Sequence, residues 1–217
     1  MGRTLITGGA GYIGIELVDE LLDAGHEVTV LDRLLHGQHD RAEELRARGV
    51  TVIEGDVRDP VARGHALKGA DAVVFAAGGG PDSGVERKET VDRGAAVLLA
   101  DAAEQAGVRR YVMVSAMGTE SVDPDSDEVF QVYLRAKKAA DDDLRARDLD
   151  WTVVRPGRLT DDPAGGRIQV GSLSRGDISR ADVASVLAEV LATDGTIGAT
   201  FDVLAGNQTI ESALAGL

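Results

Sequence analysis

The sequence predicts an α/β protein built on a doubly wound parallel sheet, and three observations carry that reading. Short β-branched, apolar runs alternate with segments of helical period along the first 156 residues. The runs are apolar on both faces, as strands buried between two helical layers must be. A glycine-rich turn, TGGAGYIG from Thr7 to Gly14, joins the first run to the first helix.

Residues 3–7 read as the first strand, 12–24 as the first helix, 27–31 as the second strand, 40–48 as the second helix and 51–54 as the third strand, a βαβαβ unit. Strand 72–76, helix 91–106, strand 110–115, helix 133–147 and strand 151–154 continue it. After Pro156 the rhythm breaks. A loop over 157–166, rich in Gly, Asp and Pro, leads to strand 168–170, helix 180–191, strand 200–203 and a last short helix. Roughly fifty residues do not easily build a core of their own. The chain therefore reads as one domain, 1–217, in which 157–217 form a small cap over the carboxyl end of the sheet, where open α/β folds bind ligands.

Composition narrows the chemistry. The 217 residues are 43% hydrophobic, enough for one sizeable core, and contain no cysteine. Disulfides, a thiolate nucleophile and thiolate metal sites are excluded. Of the four histidines, His26, His36, His39 and His65, only His36 and His39 are close, in a stretch that reads as loop without a carboxylate motif, so no metal site is expected. The 37 acidic against 23 basic residues give a net charge of −14, which repels phosphate backbones, and 3% aromatics leave no stacking platform for bases. Nucleic acid is not an expected partner. No apolar run reaches the roughly 18 residues a membrane span needs, and the N-terminus runs straight into a strand, so a cytoplasmic location is expected.

The glycine turn fits two templates at once, Gly8, Gly11, Gly14 and Gly9, Gly11, Gly14. Glycine there permits the tight turn, lets backbone N–H groups reach a pyrophosphate and lets the helix pack against the strand. This is the dinucleotide-binding signature of a Rossmann sheet. Asp32, ending the second strand, can accept both ribose hydroxyls of an adenosine and would repel a 2′-phosphate, which favours NAD. Arg33 beside it could instead pair with that phosphate, which keeps NADP as the alternative. Asp56 in GDVRDP is placed to reach the adenine amino group or to serve as a helix N-terminal or turn aspartate. Tyr133 and Lys137 form a YxxxK pair whose spacing puts both side chains on one helical face.

TGGAGYIG, VTVLDR and GDVRDP resemble the extended short-chain dehydrogenase/reductases, the branch of nucleotide-sugar epimerases and dehydratases. VFAAGGG, ETVDRGAAVLLADAAEQAGVRRYVMVSAMG, YLRAKKAADDDLRARDLDWTVVRPGRLTDD and FDVLAGN are similar to the short, atypical members, of the NAD(P)-binding, epimerase type. The two resemblances together cover nearly the whole chain. They meet near residues 71–75, a seam that raises a natural or laboratory-made chimera as a hypothesis.

The resemblance implies that the Tyr133 phenol exchanges a proton with a carbonyl or alcohol while Lys137 holds the nicotinamide ribose and lowers the phenol pKa. It implies a substrate hydrogen bond from Ser115, although Ala116 and Met117 follow it where further serines are common, and capping of the strand end is the other role open to it. Asp92 stands where extended members carry an Asn. The cofactor shell it implies adds Tyr12, Ile13, Val57, Ala76, Ala77, the loop Gly78, Gly79, Gly80, and Pro156 beside the nicotinamide carboxamide. Arg155 and Arg158 either meet an anionic substrate or make structural ion pairs. Three readings follow: an NAD(P)-dependent oxidoreductase or epimerase acting on a small carbonyl or alcohol, as monomer or homodimer; a catalytically quiet dinucleotide sensor; and an engineered scaffold that binds cofactor without a natural substrate.

Overall fold

The computed structural model describes residues 2–35, 37–78, 84 and 88–217. His36 of the loop pair, and Gly79 and Gly80 of the expected ribose loop, lie outside the described residues. The elements in chain order are β1 (Arg3–Thr7), α1 (Tyr12–Asp23), β2 (Glu27–Asp32), α2 (Gln38–Ala47), β3 (Thr51–Glu54), α3 (Pro60–Leu67) and β4 (Ala72–Phe75). A π-helical segment, Lys88–Ala95, runs into α4 (Ala96–Ala106), followed by β5 (Arg110–Val114), a single turn Thr119–Ser121, α5 (Val129–Arg145) and β6 (Asp150–Pro156). The remainder is β7 (Arg158–Thr160), β8 (Arg167–Gly171), β9 (Asp177–Ser179), α6 (Arg180–Ala192), β10 (Thr200–Ala205), β11 (Gln208–Thr209) and α7 (Ile210–Leu214).

The main sheet has the order β3-β2-β1-β4-β5-β6-β10-β8-β11, parallel from β3 to β10, with β8 antiparallel to β10 and β11 antiparallel to β8. The first six strands carry the 3-2-1-4-5-6 order of a dinucleotide-binding sheet, with the switch point of the strand order between the parallel neighbours β1 and β4. Two apolar layers cover it. Leu17, Val18 and Leu21 of α1 and Val183, Val186 and Leu187 of α6 pack on one face with Ile6, Val30 and Val112. On the other, Ala66 of α3, Leu99 and Ala103 of α4, and Ala140 and Leu144 of α5 pack with Leu5, Val73, Phe75 and Tyr111. The alanines let these three helices lie close to the sheet and to one another.

Four local differences from the sequence reading have plain causes. Helix α3 was not expected; Asp59 caps it by accepting the Val61 N–H at 2.9 Å, and Pro60 supplies a preset φ at its first position. Helix α5 starts at Val129, after an extended Glu128, so Tyr133 sits in its second turn and does not open it. The expected loop 157–166 contains β7, which pairs in parallel with β9 just beyond the carboxyl end of β6. The residues expected as a cap also supply β10, β8 and β11, which widen the main sheet at its β6 edge. Among the described residues no helix is long and apolar enough to cross a membrane.

Candidate functional site

Parallel strands deliver their carboxyl ends to one edge, and almost every candidate residue lies there: Gly8 after β1, Asp32 at the end of β2, Asp56 and Val57 after β3, Ala76 to Gly78 after β4, Ser115 after β5 and Pro156 at the end of β6. The glycine turn divides into two kinds of position. A Cβ on Gly8, whose φ is +77°, would sit 2.8 Å from Ala77 Cα, one on Gly9 would sit 2.5 Å from Val30 Cγ2, and one on Gly14 would run into the Gly8 carbonyl oxygen. These three are glycine so that the chain can close on itself. Gly11 is different: its backbone is extended, and among the described residues an added Cβ meets only Gly8 O, at 3.0 Å.

Gly11 is also the N-cap of α1 and provides no side-chain cap, so the N–H groups of the first turn, from Tyr12 and Ile13 on, are not met by a side chain of their own cap. That cradle and the positive end of α1 fit a pyrophosphate. Tyr12 is 63% exposed, and the guanidiniums of Arg41 and Arg180 stand 4.6 and 5.5 Å from its ring centroid. Arg41 also donates to Ala10 O at 3.2 Å, so α2 and α6 are both tied to the glycine turn.

On the adenosine side the Asp32 carboxylate accepts the Ala10 and Leu34 N–H groups at 3.1 and 3.2 Å, one on each oxygen. Burial pushes its pKa above the ordinary carboxylate value, and the two backbone donors only partly offset this. Each carboxylate oxygen keeps a second lone pair for a ribose hydroxyl. Asp56 makes the turn its alternative reading described: it accepts the Arg58 backbone N–H at 2.8 Å and holds the Arg58 guanidinium in a two-pronged pair at 2.9 and 2.7 Å. Arg58 thereby holds the Asp56 carboxyl below its ordinary value. Arg33 reaches the same carboxylate at 3.7 Å. Val57 is buried, and its carbonyl takes a hydrogen bond from Arg63 at 2.8 Å.

The structure brings Tyr133, Lys137, Ser115 and Asp92 together. Lys137 is buried on α5, donates to Val114 O at 3.0 Å and faces Asp92 Oδ1 of the π-helical segment at 3.3 Å. Burial alone would lower the Lys137 pKa, but Asp92, Tyr133 and Asp141 more than offset that and leave it raised. Burial likewise raises the Tyr133 phenol, against the pull of Lys137. Ser115 is buried at the end of β5, its N–H bonded to Val154 O at 2.8 Å, and its hydroxyl lies beside the Asp141 carboxyl. The neighbouring chain is pinned where Met117 N–H donates to Pro156 O at 3.0 Å.

Sequence reasoning missed the layer beneath this group. Arg155 donates to Asp141 at 2.9 Å and to Glu120 at 2.8 Å, the ion pairing that is one of the two roles expected of it. Arg158 pairs with Asp177. Asp141 is fully buried, one helical turn past Lys137 and two past Tyr133, and that i, i+4, i+8 spacing was the available signal. Burial raises its carboxyl pKa even with Ser115 and Arg155 beside it.

The NAD(P)H-binding family matches residues 8–194. The uncharacterized sugar epimerase YhfK of Bacillus subtilis strain 168 is 32% identical over 215 residues, covering 98% of each chain and therefore running through the seam at 71–75. A structure from Bacillus halodurans, of the NAD-dependent epimerase/dehydratase type, is 36% identical and superimposes with a TM-score of 0.90 over 100% of both chains. The oxidoreductase ylbE from Lactococcus lactis is 26% identical with a TM-score of 0.81, over 99% of this chain and 96% of the other.

Proposed function

Because this chain belongs to the NAD(P)H-binding family, we propose that it is a nicotinamide-dependent oxidoreductase or epimerase of the short-chain dehydrogenase/reductase type, acting on a small carbonyl or alcohol and preferring NAD to NADP. The observation that carries this reading is the convergence of Tyr133, buried Lys137 and Ser115 at the carboxyl edge of the sheet that also bears the glycine cradle. The relatives agree in kind, one an epimerase by name and one an oxidoreductase.

The nicotinamide, when bound, supplies and takes back a hydride. The chain does the rest. Gly11 and the first turn of α1 hold the pyrophosphate, Asp32 takes the adenosine ribose, and the backbone at Ala76 to Gly78 and at Pro156 flanks the nicotinamide end. Tyr133 gives its phenolic proton to the substrate oxygen in reduction and recovers it in oxidation. Lys137 steadies the phenolate and the nicotinamide ribose, and the Ser115 hydroxyl orients the substrate oxygen. The segment from Gly157 on, with β7 and β9 beyond the end of β6, closes the substrate side.

A screen of carbonyls and alcohols by nicotinamide absorbance tests this. Tyr133→Phe is expected to lose about a hundredfold or more in turnover with cofactor affinity nearly unchanged. Full activity in that variant would remove Tyr133 from the chemistry. One observation favours a second reading, a quiet cofactor sensor: the Lys137 ammonium is already engaged by Asp92 and Val114 O. A protein that binds NAD tightly and turns over no substrate in the screen would be that sensor.

A further inference from the structure

Helix α2 is docked on the glycine turn. Ala42 of α2 packs with Ala10 of the turn and Leu34, two residues past β2, in a small buried cluster, and this fixes the neighbouring Arg41 beside the turn. Arg41 is half-buried. Its guanidinium carbon stands 4.6 Å from the centroid of the Tyr12 ring, in the range of a cation–π contact, and one of its nitrogens donates to Ala10 O at 3.2 Å. A guanidinium carries five N–H donors, and the Ala10 bond uses one. Among the described residues no carboxylate pairs with Arg41, whereas Arg180, the second guanidinium near that ring, is held by Asp161. Tyr12 is the first residue of α1, so the ring that carries Arg41 stands at the helix end whose first-turn N–H groups have no side-chain cap.

We propose that Arg41, held over the Tyr12 ring, is a cofactor-binding residue whose free N–H donors meet the diphosphate of a dinucleotide seated on the glycine turn. The proposal rests on the reading of that turn as the dinucleotide cradle. Backbone N–H groups and a helix end offer only partial charges, whereas a diphosphate carries full ones. A planar guanidinium matches two phosphate oxygens with two parallel N–H bonds, which a lysine ammonium cannot do. The Tyr12 ring and Ala10 O hold the Arg41 side chain in place before the ligand arrives, so less of its freedom is lost on binding. Two other roles are separable from this one. Arg41 bonds the carbonyl of Ala10, and the Ala10 N–H donates to Asp32 at 3.1 Å, so a purely structural role would be felt at the adenosine. A role in reading a 2′-phosphate would be felt with NADP alone.

The test reads binding and needs no substrate. NAD, NADP and ADP are titrated calorimetrically into the full chain and into Arg41→Met, and adenosine is titrated by ligand-observed NMR. Arg41→Met is expected to lose about tenfold in affinity for NAD, NADP and ADP alike and to hold adenosine within about twofold of the unaltered chain. Arg41→Lys, which keeps the charge and loses the fork, is expected to fall between the two. If Arg41→Met is unfolded by circular dichroism, Arg41→Gln is read the same way. Unmoved affinities for NAD and ADP overturn the proposal. So does an equal loss for adenosine, which would leave Arg41 a structural tie of the turn, and so does a loss confined to NADP. The two readings fail separately: an unaltered chain that binds no dinucleotide removes the cradle and Arg41 with it, whereas NAD bound equally by the unaltered chain and by Arg41→Met removes Arg41 alone.

Discussion

Lys137 on α5 and Asp92 on the π-helical segment face each other at 3.3 Å, both buried, and this pair binds the helix that carries Tyr133 to the segment that follows β4. Two charges taken out of water hold only as a pair, so Asp92→Asn, which keeps the shape and removes the charge, is expected to cost about 3 kcal/mol near neutral pH. The raised Lys137 pKa sets the pH window. The advantage of Asp92 over Asn is fully present below the ordinary lysine value of about 10.4 and is lost as pH rises through the higher folded value. Urea unfolding of both proteins from pH 7 upward measures it; a gap that widens with alkaline pH contradicts the pairing.

The Arg155 and Asp141 pair lies deeper. Arg155→Ala leaves a fully buried carboxylate without its cation and is expected to lose about 3–5 kcal/mol at pH 7, whereas replacing both with apolar residues of similar volume loses much less. Asp141 already has a raised pKa, so the sign is fixed. The penalty is absent below the ordinary value of about 3.9 and grows as pH climbs through the raised value. Thermal melts of the single and double variants at pH 4 and pH 7 decide it.

The same two pairs mark where sequence reasoning stops. Strands β1 and β3 were legible to the residue because alternating β-branched runs and their bounding turns are local signals. Tyr133 and Lys137 were legible for the same reason, lying four apart on one helix. Arg155 with Asp141, Lys88 near Tyr133, and the parallel pairing of β10 with β6 depend on elements brought together only by the finished sheet. The sequence predicts ordinary helix from Val91 where the structure has a π-helical segment, since one extra residue per turn leaves no mark in an apolar pattern this short.

Cofactor choice turns on Asp32 and Arg33. A 2′-phosphate entering beside Asp32 meets a carboxylate, and Arg33, the neighbour able to neutralise it, is 3.7 Å from Asp56 and shares that carboxylate with Arg58. NAD is expected to bind about tenfold more tightly than NADP. Asp32→Ala is expected to erase most of that preference, and Asp56→Ala, by releasing Arg33, to shift it toward NADP. Calorimetric titration of both dinucleotides into the three proteins is the measurement, and a preference of tenfold or more for NADP in the unaltered chain would show that Arg33 governs the site.

The glycine turn separates a folding requirement from a binding one, and two substitutions expose the difference. At Gly14 any Cβ runs into the Gly8 carbonyl and the Gly9 backbone, so Gly14→Val is expected to lower the melting temperature sharply whether or not a dinucleotide is present. At Gly11 the backbone is extended, which a β-branched residue adopts readily, and the sole close atom among the described residues is Gly8 O at 3.0 Å. Gly11→Val is therefore expected to fold with a melting temperature within a few degrees of the unaltered chain. Its side chain would stand at the mouth of α1, where the first-turn N–H groups have no side-chain cap. A pyrophosphate needs that space to bring its oxygens within hydrogen-bond distance, so NAD affinity is expected to fall by at least about a hundredfold, more than 2.7 kcal/mol of binding. Calorimetry and a melting curve on each variant check both halves of the argument. A Gly11→Val protein that folds and still binds NAD as the unaltered chain does would place the pyrophosphate somewhere other than this turn.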